Sequence, residues 1–136
     1  MATRMSQRQS EHDGAVRAAQ LIYSAGGRYA WINPDGERNK HWAGRYIDVI
    51  AVAALDADEA WVVEIETTDS VTDTEASKQW VDYNNAYSHW YLAVPQESRA
   101  RADELVTRYG LNHCKVVTWQ RNADGTHTFW GLPGLN

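Results

Sequence analysis

The sequence predicts an α/β fold in which a central mixed β-sheet is flanked by helices. Short apolar runs bounded by turn residues indicate strands, and longer stretches with apolar residues three and four positions apart indicate helices. The predicted strands cover residues 28–32, 46–55, 60–67, 89–95 and 114–119, with a last short strand in the segment T-H-T-F-W. The predicted helices cover residues 10–24, 72–88 and 98–109. Strands and helices therefore alternate along the chain, as in layered α/β proteins.

Composition restricts the class of protein. The 136 residues predict a single domain over 1–136, with a polar and flexible segment at 1–9. A hydrophobic share of 43% with seven Trp and seven Tyr favours a folded chain. The net charge of −5 argues against a basic nucleic-acid coat but allows a local basic groove. The sequence has no membrane-length apolar run, no apolar leader and one cysteine, which predicts a cytoplasmic protein without a membrane partner.

The first predicted helix carries a candidate site acid. Ser10 is a possible N-cap and the Gly26-Gly27 pair ends the helix. The expected inward stripe consists of Ala15, Ala18, Ala19 and Ile22. Glu11 continues that stripe at helical spacing. Glu11 is therefore either a carboxylate stabilised by the helix N-terminus or an acid that belongs to a site.

The segment 37–45 concentrates positive charge in an acidic chain. Arg38, Lys40, His41 and Arg45 surround Trp42, and only Glu37 opposes them. One interpretation is a solvated polar loop. The other is a flap that contacts phosphates, with Trp42 available for stacking.

Two apolar strands at 46–55 and 60–67 contain three carboxylates, Asp48, Glu64 and Glu66. Pairing through the turn at 55–59 places Asp48 opposite Glu66, or opposite Glu64 if the register shifts by two. Either register brings the acids together on one face. Like charges opposite one another destabilise a sheet, and a hard divalent cation such as Mg²⁺ reverses that effect. The alternative is a solvent-facing side of the sheet on which the acids are harmless.

The helix that follows this hairpin presents two polar groups to the core. Thr72 and Glu75 match a capping box at its start. Gln79 and Tyr83 lie one turn apart on the expected inward stripe. They could orient a carboxylate, a water molecule or a DNA phosphate. Alternatively, Tyr83 is a core aromatic residue and Gln79 lies at the core boundary.

Several other chemistries lack their motifs. The sequence has no phosphate-binding G-x-x-x-x-G-K-[ST] loop, no G-x-G-x-x-G fingerprint and no G-x-S-x-G elbow. Its five histidines show no metal-ligand spacing. Carboxylates on adjacent strands lie too close together for a glycosidase, and the chain leaves little room for a sugar cleft. Metal-assisted phosphodiester cleavage fits the acidic cluster best.

These residues resemble the PD-(D/E)XK nuclease superfamily. Asp48 matches its first acid, Glu64-Ile65-Glu66 matches (D/E)-x-K, and Gln79-x-x-x-Tyr83 resembles the Q-x-x-x-Y element of RecB-like members. The resemblance covers about residues 10–95 and implies an αβββαβ core of the restriction-endonuclease type. It implies that Asp48, Glu64 and Glu66 bind Mg²⁺ or Mn²⁺. It also gives catalytic roles to these three acids, Gln79 and Tyr83, and to Glu11, which some branches carry.

Two positions depart from the family pattern. Ile47 replaces the Pro of the motif name, and Glu66 replaces the usual Lys. In the family that Lys is thought to position the attacking water. A glutamate there could act as a general base or as a further metal ligand. Lys78 could supply a relocated cation, although it lies about 100° around the helix from Gln79.

The sequence therefore supports a leading hypothesis and two alternatives. The leading hypothesis is a Mg²⁺-dependent DNA endonuclease that could act as a homodimer. Its expected nucleic-acid contacts are Arg38, Lys40, His41, Arg45 and Lys78. The first alternative is a catalytically inactive nuclease-fold module that binds DNA or protein, motivated by the charge reversal at Glu66. The second is a small structural or chaperone-like protein with exposed acids.

Overall fold

A computed structural model describes residues 6–135, and in this range the chain forms a curled six-stranded mixed sheet with three helices. In chain order the elements are α1 (Ser6–Ala25), β1 (Tyr29–Ile32), β2 (Val49–Val52), β3 (Trp61–Ile65), α2, β4 (Trp90–Pro95), α3 (Arg99–Arg108), β5 (Cys114–Arg121) and β6 (His127–Trp130). Helix α2 is composite: a short α-helical piece, Asp73–Glu75, leads into a π-helical turn, Ala76–Trp80, and then into Val81–Ala86. The predicted α/β class is confirmed.

The first helix begins earlier than predicted. Residues 6–9, expected to be flexible, form the first turns of α1, so Ser10 lies inside the helix and does not cap it. The remaining residues of that expectation, 1–5, lie outside the described part of the chain. The C-terminal end of α1 is as predicted, since the helix stops at Ala25 and Gly27 adopts φ +78°.

Neighbours in the sheet follow sequence order from β1 to β6. The pairs β1–β2, β2–β3 and β5–β6 are antiparallel, as direct connections between them allow. Helices α2 and α3 provide the crossovers that make β3–β4 and β4–β5 parallel. Strand β3 therefore has an antiparallel neighbour on one side and a parallel neighbour on the other.

Both faces of the sheet are covered, which explains why consecutive residues of β2 are all apolar. Ile50 belongs to a core shared with Trp80 of α2 and Leu105 of α3. Val49 and Ala51 belong to a second core on the opposite face, which is covered by α1. All four residues of β2 are buried. This is the pattern of a strand enclosed on two sides.

The C-terminal segment after β6 completes the second core. The Tyr23 hydroxyl of α1 donates to the Pro133 carbonyl at 2.8 Å, and Arg28 Nε donates to the Gly134 carbonyl at 3.0 Å. The Arg28 guanidinium also lies 5.6 Å from the ring centroid of Trp61. This segment thus packs against α1 and the start of β3. Within residues 6–135, no helix is long and apolar enough to cross a membrane.

Candidate functional site

The β2–β3 register brings two of the predicted acids face to face. Val49 pairs with Val63, so Asp48, immediately before β2, lies opposite Glu64 on β3. This is the second of the two registers that the sequence allowed. The Asp48 backbone N–H points to Glu64 Oε1 at 3.3 Å, and Asp48 Oδ2 accepts from the Ile65 backbone N–H at 2.8 Å. Both carboxylates are buried, with 7% and 5% of their residues' surface exposed.

Glu64 has an electrostatic environment that disfavours its charged form. Burial raises its pKa well above the usual range, and the negative charges of Asp48 and Glu66 raise it further. Among residues 6–135, no Lys or Arg forms a salt bridge with Glu64. Without a cation, Glu64 therefore favours its protonated form. A divalent ion would remove that preference.

Helix α2 covers Glu64 with a line of polar side chains. With the Gln79 amide oriented so that its nitrogen faces the carboxylates, that nitrogen donates to Glu64 Oε2 and to Glu75 Oε2, both at 3.0 Å. The Gln79 oxygen then accepts from the Tyr83 hydroxyl at 3.2 Å. The structure thus brings Gln79 and Tyr83 to the predicted position. Glu75, which the sequence suggested only as a capping residue, lies beside them.

The start of α2 sets the position of Glu75. The Thr72 hydroxyl accepts from the Glu75 backbone N–H at 3.3 Å, which is the predicted half of a capping box. The Thr72 backbone N–H donates to the Ser70 carbonyl at 3.0 Å, where a full capping box would use the glutamate side chain. In the Gln79 orientation given above, the Glu75 carboxylate accepts from the Gln79 amide nitrogen. The π-helical turn Ala76–Trp80 follows directly, a feature often found at functional sites.

Glu66 has different contacts from the other two acids. Its side chain is fully buried and does not border the cleft that contains Asp48 and Glu64. Trp80 Nε1 donates to Glu66 Oε2 and Ser70 Oγ donates to Glu66 Oε1, each at 2.7 Å. Burial raises the pKa of Glu66 to about 7, and these two hydrogen bonds act in the opposite direction.

Helix α1 presents His12, not Glu11, to the site. His12 Nε2 lies 3.0 Å from Asp48 Oδ2, and Nδ1 lies 3.1 Å from Asp13 Oδ1, an arrangement that a doubly protonated ring satisfies. Glu11 pairs with Arg8 at 2.8 Å and borders a separate surface cavity. The buried stripe of α1 consists of His12, Ala15, Val16, Ala19 and Tyr23. The predicted stripe was thus turned by about one residue, which is why it selected Glu11.

The predicted flap carries its cations against aromatic rings. The Arg38 guanidinium lies 5.4 Å from the Tyr46 ring centroid and the Lys40 ammonium lies 4.5 Å from the Trp31 ring centroid. His41 packs edge-on against Tyr46. Only Arg38 of these three borders the cleft.

Two further predicted cations have different positions. Arg45 also borders the cleft, where it makes two hydrogen bonds to Asp82, at 2.8 and 3.0 Å. Those bonds lower the pKa of Asp82. Lys78 is exposed on α2 and lies outside the cleft lining.

The cleft has a volume of about 330 Å³. Asp48, Glu64, Glu75 and His12 are among its lining residues, and Arg38, Arg45 and Tyr46 line it as well. A larger groove of about 800 Å³ lies near the start of β3, bordered by Trp42, Trp61 and Tyr87 among others. We take the smaller cleft as the candidate site because only it combines buried carboxylates with cationic groups.

The donor set of the cleft fits a hard divalent cation held by few protein ligands. The Asp48 and Glu64 carboxylates are both buried and lie close enough for the charge on Asp48 to raise the pKa of Glu64. No three His, Cys, Asp or Glu side chains within that range are gathered so that they could hold a metal ion together. Of the three predicted ligands, Asp48 and Glu64 line the cleft and Glu66 does not. Mg²⁺ is commonly bound by one or two carboxylates, with waters and substrate phosphates as its other ligands. Asp48 and Glu64 can provide the two carboxylates.

No protein-family model, no curated protein and no solved structure matches this chain. A functional assignment therefore depends on the geometry of the cleft and on the order of the elements around it.

Proposed function

We propose that this protein is a divalent-metal-dependent nuclease that hydrolyses phosphodiester bonds in DNA. The observation that carries the proposal is the pair of adjacent buried carboxylates, Asp48 and Glu64, at a cleft that also contains Arg38 and Arg45. Carboxylate oxygens suit Mg²⁺ or Mn²⁺, and guanidinium groups suit phosphate. Few other substrates require both charges in one small cleft.

The order of the elements supports the same proposal. The first part of the chain runs α1, β1, β2, β3, α2, β4, with β1–β2–β3 antiparallel and β4 parallel to β3. This order supports a restriction-endonuclease-like αβββαβ core. The proposal assigns the motif positions of that core to Asp48 immediately before β2, Glu64 on β3 and Gln79 on the next helix. The restriction-endonuclease-like core is thus part of the proposal.

The chain's own residues divide the work as follows. Asp48 and Glu64 would hold the cation, which when bound lowers the pKa of water and neutralises charge on the phosphate. Gln79, braced by the Tyr83 hydroxyl, fixes the orientation of Glu64. His12 contacts Asp48 Oδ2 at 3.0 Å and helps to fix the orientation of that carboxylate. Arg38 provides a phosphate contact at the cleft.

A cleavage assay tests the proposal. Fluorescently labelled single-stranded and duplex DNA are incubated with the protein in Mg²⁺, Mn²⁺ or EDTA. We expect cleavage that requires the metal and that falls at least 100-fold in Asp48→Asn and in Glu64→Gln, since each removes a charged ligand. Asp58→Asn is the matched control, because Asp58 is exposed and borders the other groove. Cleavage that continues in EDTA, or that survives Glu64→Gln, would contradict the proposal.

A second candidate function is binding without cleavage. The observation in its favour is that no lysine is found among the described residues that line the cleft, while Glu66 occupies the position of the usual Lys. Calorimetric titration with Mn²⁺ separates the two functions. Mn²⁺ binding that is lost in Asp48→Ala favours the nuclease. DNA binding by a protein that takes up no metal favours the non-catalytic module.

A further inference from the structure

We propose that Glu75 is the general base of the reaction and that Glu66, the acid at the family's lysine position, is a structural clamp. This inference rests on the proposed nuclease function. It exchanges the roles that the sequence motif assigns, because Glu66 does not line the cleft and Glu75 does. The geometry at each carboxylate carries the argument.

The surroundings of Glu66 exclude it from handling water. Its carboxylate is fully buried, and each oxygen accepts a hydrogen bond of 2.7 Å, one from Trp80 and one from Ser70. A general base must contact the attacking water and later release its proton to solvent. A carboxylate with both oxygens so occupied and with no exposed surface cannot do either without unfolding its surroundings.

Glu66 instead joins several segments of the protein. Its side chain links β3 to Trp80 of α2 and to the turn Thr68–Ser70. Its backbone N–H donates to the Ala93 carbonyl next door on β4, and its carbonyl accepts from Trp119 Nε1 on β5. Trp80 directly follows Gln79, so this clamp sets the position at which Gln79 reaches Glu64.

Glu75 meets the requirements that Glu66 does not. It borders the cleft and is partly exposed, so it can exchange protons with solvent. The Gln79 amide nitrogen lies 3.0 Å from Glu75 Oε2 and 3.0 Å from Glu64 Oε2, which places the two carboxylates on either side of one nitrogen. A base at Glu75 therefore stands beside the carboxylate that would hold the cation.

The step is a hydrolysis with water as the only co-reactant. The oxygen of a water molecule forms a bond to phosphorus while its proton passes to the Glu75 carboxylate. The bond from phosphorus to the leaving sugar oxygen breaks, and that oxygen takes a proton from solvent. Glu75 then returns its proton to solvent, so that one phosphodiester and one water give one phosphomonoester and one alcohol.

Two isosteric substitutions test the exchange of roles. Glu75→Gln keeps an oxygen that can accept from Gln79 but removes the proton acceptor. We expect kcat for DNA cleavage in Mn²⁺ to fall at least 100-fold, the contribution typical of a general base. We expect the KM for DNA and the calorimetric Mn²⁺ affinity to change less than threefold. Glu75→Asp should recover part of the lost rate. Glu59→Gln, at an exposed acid of the β2–β3 loop, is the matched control.

Glu66→Gln keeps an acceptor for Trp80, so we expect its kcat per folded molecule to stay within about threefold of wild type, with a lowered melting temperature. Circular dichroism gives the folded fraction. Glu66→Gln that folds normally but loses 100-fold in kcat, or Glu75→Gln that stays within threefold, would overturn the inference and leave the proposed nuclease intact. A wild-type protein without metal-dependent cleavage would overturn both.

Discussion

At the scale of single residues, Glu64 and Glu66 link protonation to folding. Their pKa values are raised in the folded protein, mainly by burial, so the folded state retains protons that the unfolded state releases. Stability from such a group is fully present below the pKa of the unfolded chain and is lost as pH rises through the folded pKa. For Glu66 this window runs from about 4.5 to about 7.

We therefore expect the metal-free protein in EDTA to become less stable between pH 4.5 and 7.5. A pKa raised from 4.5 to about 7 at Glu66 corresponds to a loss on the order of 3 kcal/mol. The lowered pKa of Asp82 acts below pH 4 and does not oppose this trend. Urea unfolding at several pH values measures the effect.

Glu66→Gln provides the control for that trend, because it keeps the side-chain shape and cannot titrate. The free energy of unfolding of wild type minus that of Glu66→Gln should fall with rising pH by roughly the same 3 kcal/mol. Titrating groups that do not interact with Glu66, such as His127 with its lowered pKa, cancel in this difference. An unchanged difference between pH 4.5 and 7.5 would contradict the raised pKa.

Individual site residues were predictable only where a motif fixed them. Strand and helix periodicity alone predict which faces carry four residues of the cleft, namely Asp48, Glu64, Gln79 and Tyr83. His12 was missed because α1 is rich in alanine, a small residue that distinguishes the buried face of a helix from its exposed face only weakly. Val16 and Tyr23 were the larger apolar residues that could have set the stripe correctly, with His12 on it.

At the scale of elements, α2 depends on its contact with β3. Trp80 lies in the π-helical turn, is fully buried and donates its indole N–H to Glu66. Nothing in the sequence pairs Trp80 with Glu66, since the contact exists only after α2 has packed on the sheet. This is why the sequence motif could suggest a catalytic Glu66 but could not show where its carboxylate points.

Trp80→Phe removes that donor while keeping an aromatic ring. We expect a loss of about 1–3 kcal/mol in the free energy of unfolding, because a buried carboxylate oxygen loses its hydrogen bond. Trp130→Phe is the matched control, since Trp130 lies on edge strand β6 and is 43% exposed. It should change stability by about 0.5 kcal/mol or less. Equal losses in the two variants would exclude a special role for the Trp80 contact.

The N-cap of α2 gives a second test at this scale. Thr72→Ala removes the hydroxyl that accepts from the Glu75 N–H and should cost about 1 kcal/mol of unfolding free energy. Thr74→Ala, at an exposed position two residues later, should be neutral or slightly stabilising because alanine favours helix. Urea unfolding curves of both variants provide the measurement, and a neutral Thr72→Ala would show that the cap contributes nothing.

At the scale of the whole molecule, the sequence predicted the layers and the order of the elements. Apolar runs and turns are local signals, so each predicted strand and α3 is found, although β2 covers only Val49–Val52 of the predicted range 46–55. The fastening of the C-terminal segment was not predicted, because residues after 130 contain no periodic pattern. Their position depends on contacts with Tyr23, Arg28 and Trp61, which are far away in the chain.

The C-terminal segment packs closely against Trp61 at Gly134. Its φ is +78°, and a Cβ there would lie 2.5–2.7 Å from the ring of Trp61. Gly27 has the same φ of +78°, but a Cβ added to it would meet nothing within 4 Å. We expect Gly27→Ala to lose about 1 kcal/mol from backbone strain alone, and Gly134→Ala to lose clearly more. Equal losses, measured by urea unfolding, would show that Trp61 moves aside freely.

The hydrogen bond from Tyr23 to Pro133 spans almost the whole chain. A ribosome releases His12, Asp48, Glu64 and Glu75 long before it releases Pro133. During that interval α1 lacks the hydrogen bond from Tyr23 to Pro133, and for most of it the sheet lacks β5 and β6. Because a domain packs cooperatively, we expect the cleft to become rigid only after Pro133 has left the ribosome. For a proposed nuclease, this order would withhold cutting activity from nascent chains that still lack β5, β6 and the segment after them.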